Sequence, residues 1–224
     1  MKPAQLRPYI PKALELETFG GVAWLGIVPF YLTIRPRLSF HIPRVTMFPE
    51  LNVRTYVKHQ DRAGVWFFSL DARNPLACWA ARKMFYLSYY WARMSIQIRD
   101  RRVEYRSERR LMEATFVGDY APVGEIWQAR PGSLEHWLTE RYCLFTQSPT
   151  GQLCYADVHH GPWQLQQAHL ELKRNSMTQP LNLQLPNSPE LLFYAPHIDV
   201  LSWPLRRLTE TVPSEDLEPA LETG

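Results

Sequence analysis

The stretch Phe48–Lys58, FPELNVRTYVK, holds the residues best suited to chemistry in this 224-residue chain. Read as a β-strand, it alternates with period two. Leu51, Val53, Thr55 and Val57 share one face; Glu50, Asn52, Arg54 and Tyr56 share the other. A carboxylate, an amide, a guanidinium and a phenol in register can hold an organic anion through an arginine fork and offer a proton donor. The same four groups suit a solvated strand edge. A second run, Tyr89–Arg99, places Tyr89, Trp91, Arg93, Ser95 and Gln97 on one face and Tyr90, Ala92, Met94, Ile96 and Ile98 on the other. If both polar faces line one cavity, Glu50 and Tyr89 are the candidate acid/base pair. Asn52, Arg54, Tyr56, Trp91 and Arg93 are then the candidate substrate-binding residues. The competing reading is a buried Glu50–Arg54 or Glu50–Arg93 ion pair, since a lone charge inside a barrel is costly.

Other chemistries find less support. His159-His160 are adjacent, so on a strand they point to opposite faces, and no HExxH or Cys/His cluster accompanies them. Cys78, Cys143 and Cys154 are odd in number and show no CxxC spacing, which argues against a disulfide framework and for a reducing cytosol. Cys143 reads as a small apolar residue in an aromatic helix. Ser69, Ser95 and Ser133 lie in no GxSxG elbow. The ten glycines form no phosphate-cradling loop, so no cofactor is expected. The basic run Arg99–Arg110 is interrupted by Glu104 and Glu108 and reads as an exposed hairpin with cross-strand ion pairs; nucleic-acid binding through it is the weaker alternative.

The elements that must position these residues are mostly strands. Nineteen prolines oppose long helices, and eight Trp, eleven Tyr and ten Phe favour sheet and large pockets. Strands are expected at Gly20–Phe30, Asn52–Lys58, Gly64–Asp71, Tyr89–Arg99, Val103–Arg109, Leu111–Phe116, Leu153–His159, Gln167–Arg174 and Leu191–Trp203. Two helices are expected: one capped by Asn74 with Pro75 at its first position, and one capped by Ser133 running through LEHWLTERYCLF. Length fits one domain over 1–208, large enough to bury roughly 70% of its unfolded surface. Residues 209–224 hold five of the 22 acidic side chains and none of the 25 basic ones, leaving the body at +8, and are expected to be disordered. Twenty of the basic residues are Arg, as anion recognition or a GC-rich genome would both give. The apolar run Gly20–Ile34 is too short for a membrane span and is broken by Pro29. The fold class expected is α+β: a large bent antiparallel sheet or barrel with a few short packed helices.

The runs FPELNVRTYV, GVWFFSLDA, YYWARMSI, PGSLEHWLTERYCLF, HHGPWQLQ and DVLSWPLRRL resemble the YqjF-like family of domains of unknown function, over nearly the whole chain to about Leu208. That family resembles acetoacetate decarboxylase in fold, which implies a bent antiparallel barrel around a funnel-shaped pocket. Family members usually begin with a further stretch before the segment matching AQLRPYIPKALELETFGG, which implies an edge strand missing here or supplied otherwise. Acetoacetate decarboxylase uses a lysine pair to form a Schiff base. In the matching stretch, Leu87-Ser88-Tyr89-Tyr90-Trp91-Ala92, tyrosines stand where the lysines would be, so the resemblance transfers a fold and a pocket but not that reaction. Of the five lysines, Lys58 alone shares the polar parity of Glu50 and Arg54, and it sits beside a turn. The expected function is binding of a small organic acid or carbonyl compound in the barrel funnel, with proton-transfer chemistry if it is an enzyme. The alternative is a non-catalytic ligand-binding or interaction module; a homo-oligomer is compatible with either.

Overall fold

The computed structural model of the chain describes residues 1–33 and 47–208. The tail at 209–224, with its expected disorder, lies outside the described residues. After a short helix α1 (Pro3–Leu6), the chain runs through β1 (Glu15–Leu16), β2 (Leu25–Thr33), β3 (Met47–His59) and β4 (Arg62–Ala72). Helix α2 (Pro75–Phe85) leads to β5 (Tyr89–Arg99), β6 (Arg102–Arg109) and β7 (Thr115–Trp127). Helix α3 (Leu134–Thr139) precedes β8 (Cys143–Gln147), β9 (Leu153–His160) and β10 (Leu165–Asn175). Short pairings β11 (Phe193–Tyr194), β12 (Val200–Ser202) and β13 (Arg206–Arg207) close the described chain. The result is the α+β architecture expected, a bent open sheet with a few short helices. Among the described residues, no helix is long and apolar enough to cross a membrane.

Most neighbours are antiparallel, joined by tight turns. In the β5–β6 hairpin, Arg99 opposes Arg102, and the two turn residues Asp100 and Arg101 both take positive φ, 46° and 67°. That is the left-handed pair a two-residue hairpin needs to match the strand twist. Two pairings depart from the antiparallel expectation. Along the edge of β4 away from β3, Leu70–Ala72 pair in parallel with Tyr89–Trp91 of β5, and Val65–Trp66 pair in parallel with Leu144–Phe145 of β8. The sheet therefore forks at β4. A cavity of about 180 Å3 opens in the fork, lined by residues of β4, β8 and the Tyr86–Ser88 entry into β5.

Several elements fall otherwise than their sequence pattern indicates. The helix capped by Ser133 stops at Thr139, because Glu140 leaves helical geometry and Cys143–Gln147 enter the sheet between β4 and β9. Cys143 is thus a buried strand residue, not a helical one. Strand β7 runs on to Trp127 through Gly118, Pro122 and Gly124, residues that ordinarily break strands. The segment expected as strand over Leu191–Trp203 supplies only two short pairings.

Strand β3 is central and buried along both faces. Its Leu51 and Val53 pack with Ala92, Met94, Tyr105 and Phe116 in the core enclosed by β5, β6 and β7. Its opposite, polar face is covered at one end by α2, where Phe48, Ala72 and Cys78 cluster, and at the other by α3, where Tyr56, Val65 and Leu138 cluster. Asn74 caps α2 by accepting from the backbone N–H groups of Leu76 at 2.9 Å and Ala77 at 3.2 Å. Both helices are short, and their place is set by the apolar side chains they press onto β3 and β4.

The parallel seam between β4 and β8 depends on a missing side chain. A Cβ at Gly64 would stand 2.6 Å from the carbonyl oxygen of Cys143 and 2.8 Å from the Phe145 ring, whereas one at Gly26 would meet nothing closer than 3.5 Å. Gly64→Ala is expected to lose about 1–3 kcal/mol by overpacking against backbone. Gly26→Ala should lose clearly less. Urea denaturation of the two variants beside wild type checks the order.

Candidate functional site

Along the polar face of β3, successive side chains stand roughly 6–7 Å apart, in the order Phe48, Glu50, Asn52, Arg54, Tyr56. Glu50 is 3% exposed and sits opposite Ala72 of β4 and Phe30 of β2. Its carboxylate accepts a hydrogen bond from the Tyr89 hydroxyl at 2.9 Å. From the other side of the strand the Tyr105 hydroxyl donates to the Glu50 backbone carbonyl at 2.7 Å, fixing the main chain beneath the acid. Burial pushes the Glu50 carboxyl up to about 8, against the lowering effect of the Tyr89 bond, and the neighbouring Asp71 charge adds to the rise. Burial also drives the Tyr89 phenol well above its ordinary range, with Glu50 contributing. The pair is therefore a neutral carboxylic acid beside a neutral phenol at pH 7.

Neither arginine considered as a Glu50 partner holds it. The buried ion pair lies across the sheet, between Asp71 and Arg109, with Arg109 Nε 2.6 Å from Asp71 Oδ1 and Ser107 Oγ 3.0 Å from Oδ2. Burial raises the Asp71 carboxyl and the Arg109 charge and hydrogen bond oppose that rise. The Tyr90 ring stacks on Arg109, its centroid 4.2 Å from the guanidinium carbon. The two tyrosines in the place of the expected lysine pair thus serve opposite faces: Tyr89 meets Glu50, and Tyr90 meets Arg109. The end of the Arg99–Arg110 run is accordingly core, not an exposed hairpin edge.

Farther along β3, Asn52 is 5% exposed and its carbonyl oxygen has no partner. Arg54, half-buried, has Nε sealed without an acceptor. Tyr56 is buried against Trp137 of α3, ring centroids 4.8 Å apart. Glu50, Asn52, Arg54, Tyr56 and Tyr89 thus gather on one covered face. Trp91 and Arg93 do not join them. Trp91 is 44% exposed and stacks with Arg110, while Arg93 is exposed opposite Glu108, because β5 leaves β4 after Trp91 and its polar face then meets solvent. Lys58 ends the row in a surface ion pair with Glu15 at 3.3 Å. His160 is buried, with Nδ1 2.8 Å from the Gly161 carbonyl and its ring stacked on Tyr142; His159 is exposed. Among the described residues no group of three or more His, Cys, Asp or Glu could hold a metal ion.

The sequence pattern did not mark Asp71, Arg109 or Arg141 as partners of this strand. Asp71 stood out only as a carboxylate within the apolar run GVWFFSLDA. Arg141 falls within LEHWLTERYCLF, expected as helix, but lies beyond the helix end at Thr139.

The sign of the Glu50 effect on stability follows from its raised pKa. The folded protein holds a proton that the unfolded chain releases above pH 4.5, so this group's contribution is complete below that pH and is lost as pH rises to about 8. Thermal unfolding should show wild type losing stability across that window relative to Glu50→Gln, which cannot ionise. Above pH 8 the variant should be the more stable by about 1–3 kcal/mol. Parallel curves for the two proteins would place the Glu50 pKa in its ordinary range.

The family DUF2071, described as an uncharacterized conserved protein, matches residues 1–199. The uncharacterized protein YqjF of Bacillus subtilis (strain 168) is 44% identical over 204 residues, covering 90% of this chain and 84% of the relative. Among solved structures, acetoacetate decarboxylase from Legionella pneumophila superposes with a TM-score of 0.61 at 13% identity, over 92% of this chain and 80% of that one. The enduracididine biosynthesis enzyme MppR complexed with pyruvate gives a TM-score of 0.60 at 11% identity, over 92% and 84% of the two chains. At such identities the likeness to the solved structures is one of fold.

Proposed function

The chain belongs to the DUF2071 family of uncharacterized conserved proteins, and on that premise we propose that it binds a small organic acid or carbonyl compound over the polar face of β3. In this reading the Glu50–Tyr89 pair is the proton-donating end and Arg54 the anion-facing end. The observation that carries it is the row Glu50, Asn52, Arg54 on one covered strand face: an acid whose proton affinity burial raises, followed by Asn52 Oδ1 and Arg54 Nε, both sealed without a partner. Buried polar groups are almost always paired, and an acid held neutral near pH 8 is suited to donate a hydrogen bond or a proton to a carbonyl oxygen. That MppR is complexed with pyruvate, a small 2-oxo acid, on a similar fold supports the size and chemistry of the ligand.

The mechanism would run without a Schiff base. A phenol cannot form an iminium with a ketone, and Lys58 is engaged with Glu15 at the surface. Tyr89 instead orients the Glu50 carboxyl, and Tyr105 holds the strand beneath it. A substrate carbonyl would then be polarised by a hydrogen bond donated by the protonated Glu50 carboxyl. The second reading, a binder without turnover, is favoured by the depth at which Glu50 is buried.

Calorimetric titration with a panel of short 2-oxo and 2-hydroxy acids is expected to find at least one that binds wild type. Loss of one hydrogen bond to a charged group should weaken it roughly tenfold or more in Arg54→Ala. Turnover lost in Glu50→Gln would identify an enzyme, and binding without turnover the second reading. Borohydride in the presence of the bound oxo acid should leave no covalent adduct. A panel without a hit, or a hit indifferent to Arg54→Ala, contradicts the proposal.

A further inference from the structure

Arg54 is one of two guanidinium groups gathered about a single aromatic ring. The guanidinium carbons of Arg54 and Arg141 lie 5.8 and 5.2 Å from the centroid of Tyr56. Arg141, from the turn between α3 and β8, is 7% exposed. It donates through Nε to the Trp137 carbonyl at 2.7 Å and through Nη1 to Glu17, and lies over the Trp137 ring at 4.3 Å. Its remaining nitrogen, Nη2, is sealed with no acceptor. Arg54 makes no ion pair or hydrogen bond within the described protein, and of its nitrogens only Nε is sealed, so its terminal nitrogens keep access to solvent. The indole N–H of Trp24, packed in the same cluster with Tyr56 and Trp137, is likewise buried and unpaired.

The charge count is unbalanced. Of the two cations only Arg141 has a carboxylate partner, Glu17; burial and the nearby Arg54 charge both disfavour the charged form of Arg141, and Glu17 opposes them. A buried charge without its counter-charge is destabilising by several kcal/mol, and each sealed donor without an acceptor adds to that cost. Every orphaned group here, Arg54 Nε, Arg141 Nη2 and Trp24 Nε1, is a donor. What such a cluster lacks is a small group with negative charge and several acceptor atoms.

We propose that Arg54 and Arg141, walled by Trp24, Tyr56 and Trp137, form an oxyanion-binding subsite that takes one carboxylate or phosphate group. The proposal rests on the reading of the β3 polar face as a ligand face and deepens it, by placing the ligand's anionic group at the α3 end, away from Glu50. Arg54 supplies the open side of the subsite and Arg141 the closed one. The aromatic walls lower the local dielectric, which strengthens the charge-assisted hydrogen bonds to the anion.

Thermal unfolding in sodium acetate and in sodium phosphate, each against sodium chloride of equal ionic strength, tests this with the two simplest oxyanions. At a hundred times its Kd, a bound anion should raise the Tm by roughly 5–10 °C for a protein of this size. The rise should vanish in Arg54→Gln, which breaks no hydrogen bond or ion pair of the described protein, and persist in the surface control Lys58→Gln. A response to acetate alone marks a carboxylate site and one to phosphate alone a phosphate site; both support the subsite. No rise beyond chloride with either anion, or a rise retained in Arg54→Gln, overturns it. Organic acids that bind through Glu50 without any acetate or phosphate effect would overturn the subsite and leave the broader function standing. An anion effect in wild type with no hit in the organic-acid panel would do the reverse.

Discussion

A strand covered on both faces cannot hand its polar side chains to water, and that constraint on β3 organises everything around it. Its apolar face closes the core enclosed by β5, β6 and β7; its polar face is roofed by two short helices. Each polar residue on it must then be neutralised, paired or used. Glu50 is neutralised by burial, which raises its proton affinity against the pull of the Tyr89 hydrogen bond. Tyr56 is packed between an indole and a guanidinium. Asn52 and Arg54 are left with sealed atoms and no partner. The pattern of use falls where the roof changes from α2 to α3.

Tyrosines at positions 89 and 90, where the resemblance implies a lysine pair, are coherent with their surroundings. An ammonium beside Glu50 would have made a buried ion pair and held the carboxyl ionised. A phenol is a neutral donor, so the acid next to it keeps its proton. The adjacent Tyr90 turns to the other face and covers Arg109, which answers Asp71. Two neighbouring residues of one strand thus attend two buried carboxyls: burial raises both, and at Asp71 the Arg109 charge and hydrogen bond oppose the rise.

Much of this was legible in the chain because period-two alternation is a local property. The facing of Glu50, Asn52, Arg54 and Tyr56 could be read from FPELNVRTYVK, and the Asn74 cap from the Asn-Pro dipeptide. The meeting of Glu50 with Tyr89 needed the polar parity of two strands and the family likeness. What could not be read were the non-local events. The parallel seam that draws Leu144 and Phe145 beside β4 overrides the helical pattern of LEHWLTERYCLF, since local propensity yields to tertiary pairing. Nothing in the spacing shows that β5 parts from β4 after Trp91, and this turns Arg93 to solvent while leaving Tyr89 inside. Arg109 looked like one more member of a charged run because its buried partner lies on another strand.

The fork at β4 has a consequence for how the chain assembles. The hairpins β3–β4 and β5–β6 join residues close in sequence, whereas the seam between Val65–Trp66 and Leu144–Phe145 closes a loop through the whole middle of the chain for only two aligned pairs. Loop-closure entropy rises with length, and a contact that repays so little of it forms only after its surroundings are in place. The fork is thus expected to set after the two hairpins. By the same account of lost and regained chain freedom it is expected to part before them in a native-state fluctuation. Its hollow of about 180 Å3 then lies where such an opening would admit solvent to the interior of the sheet.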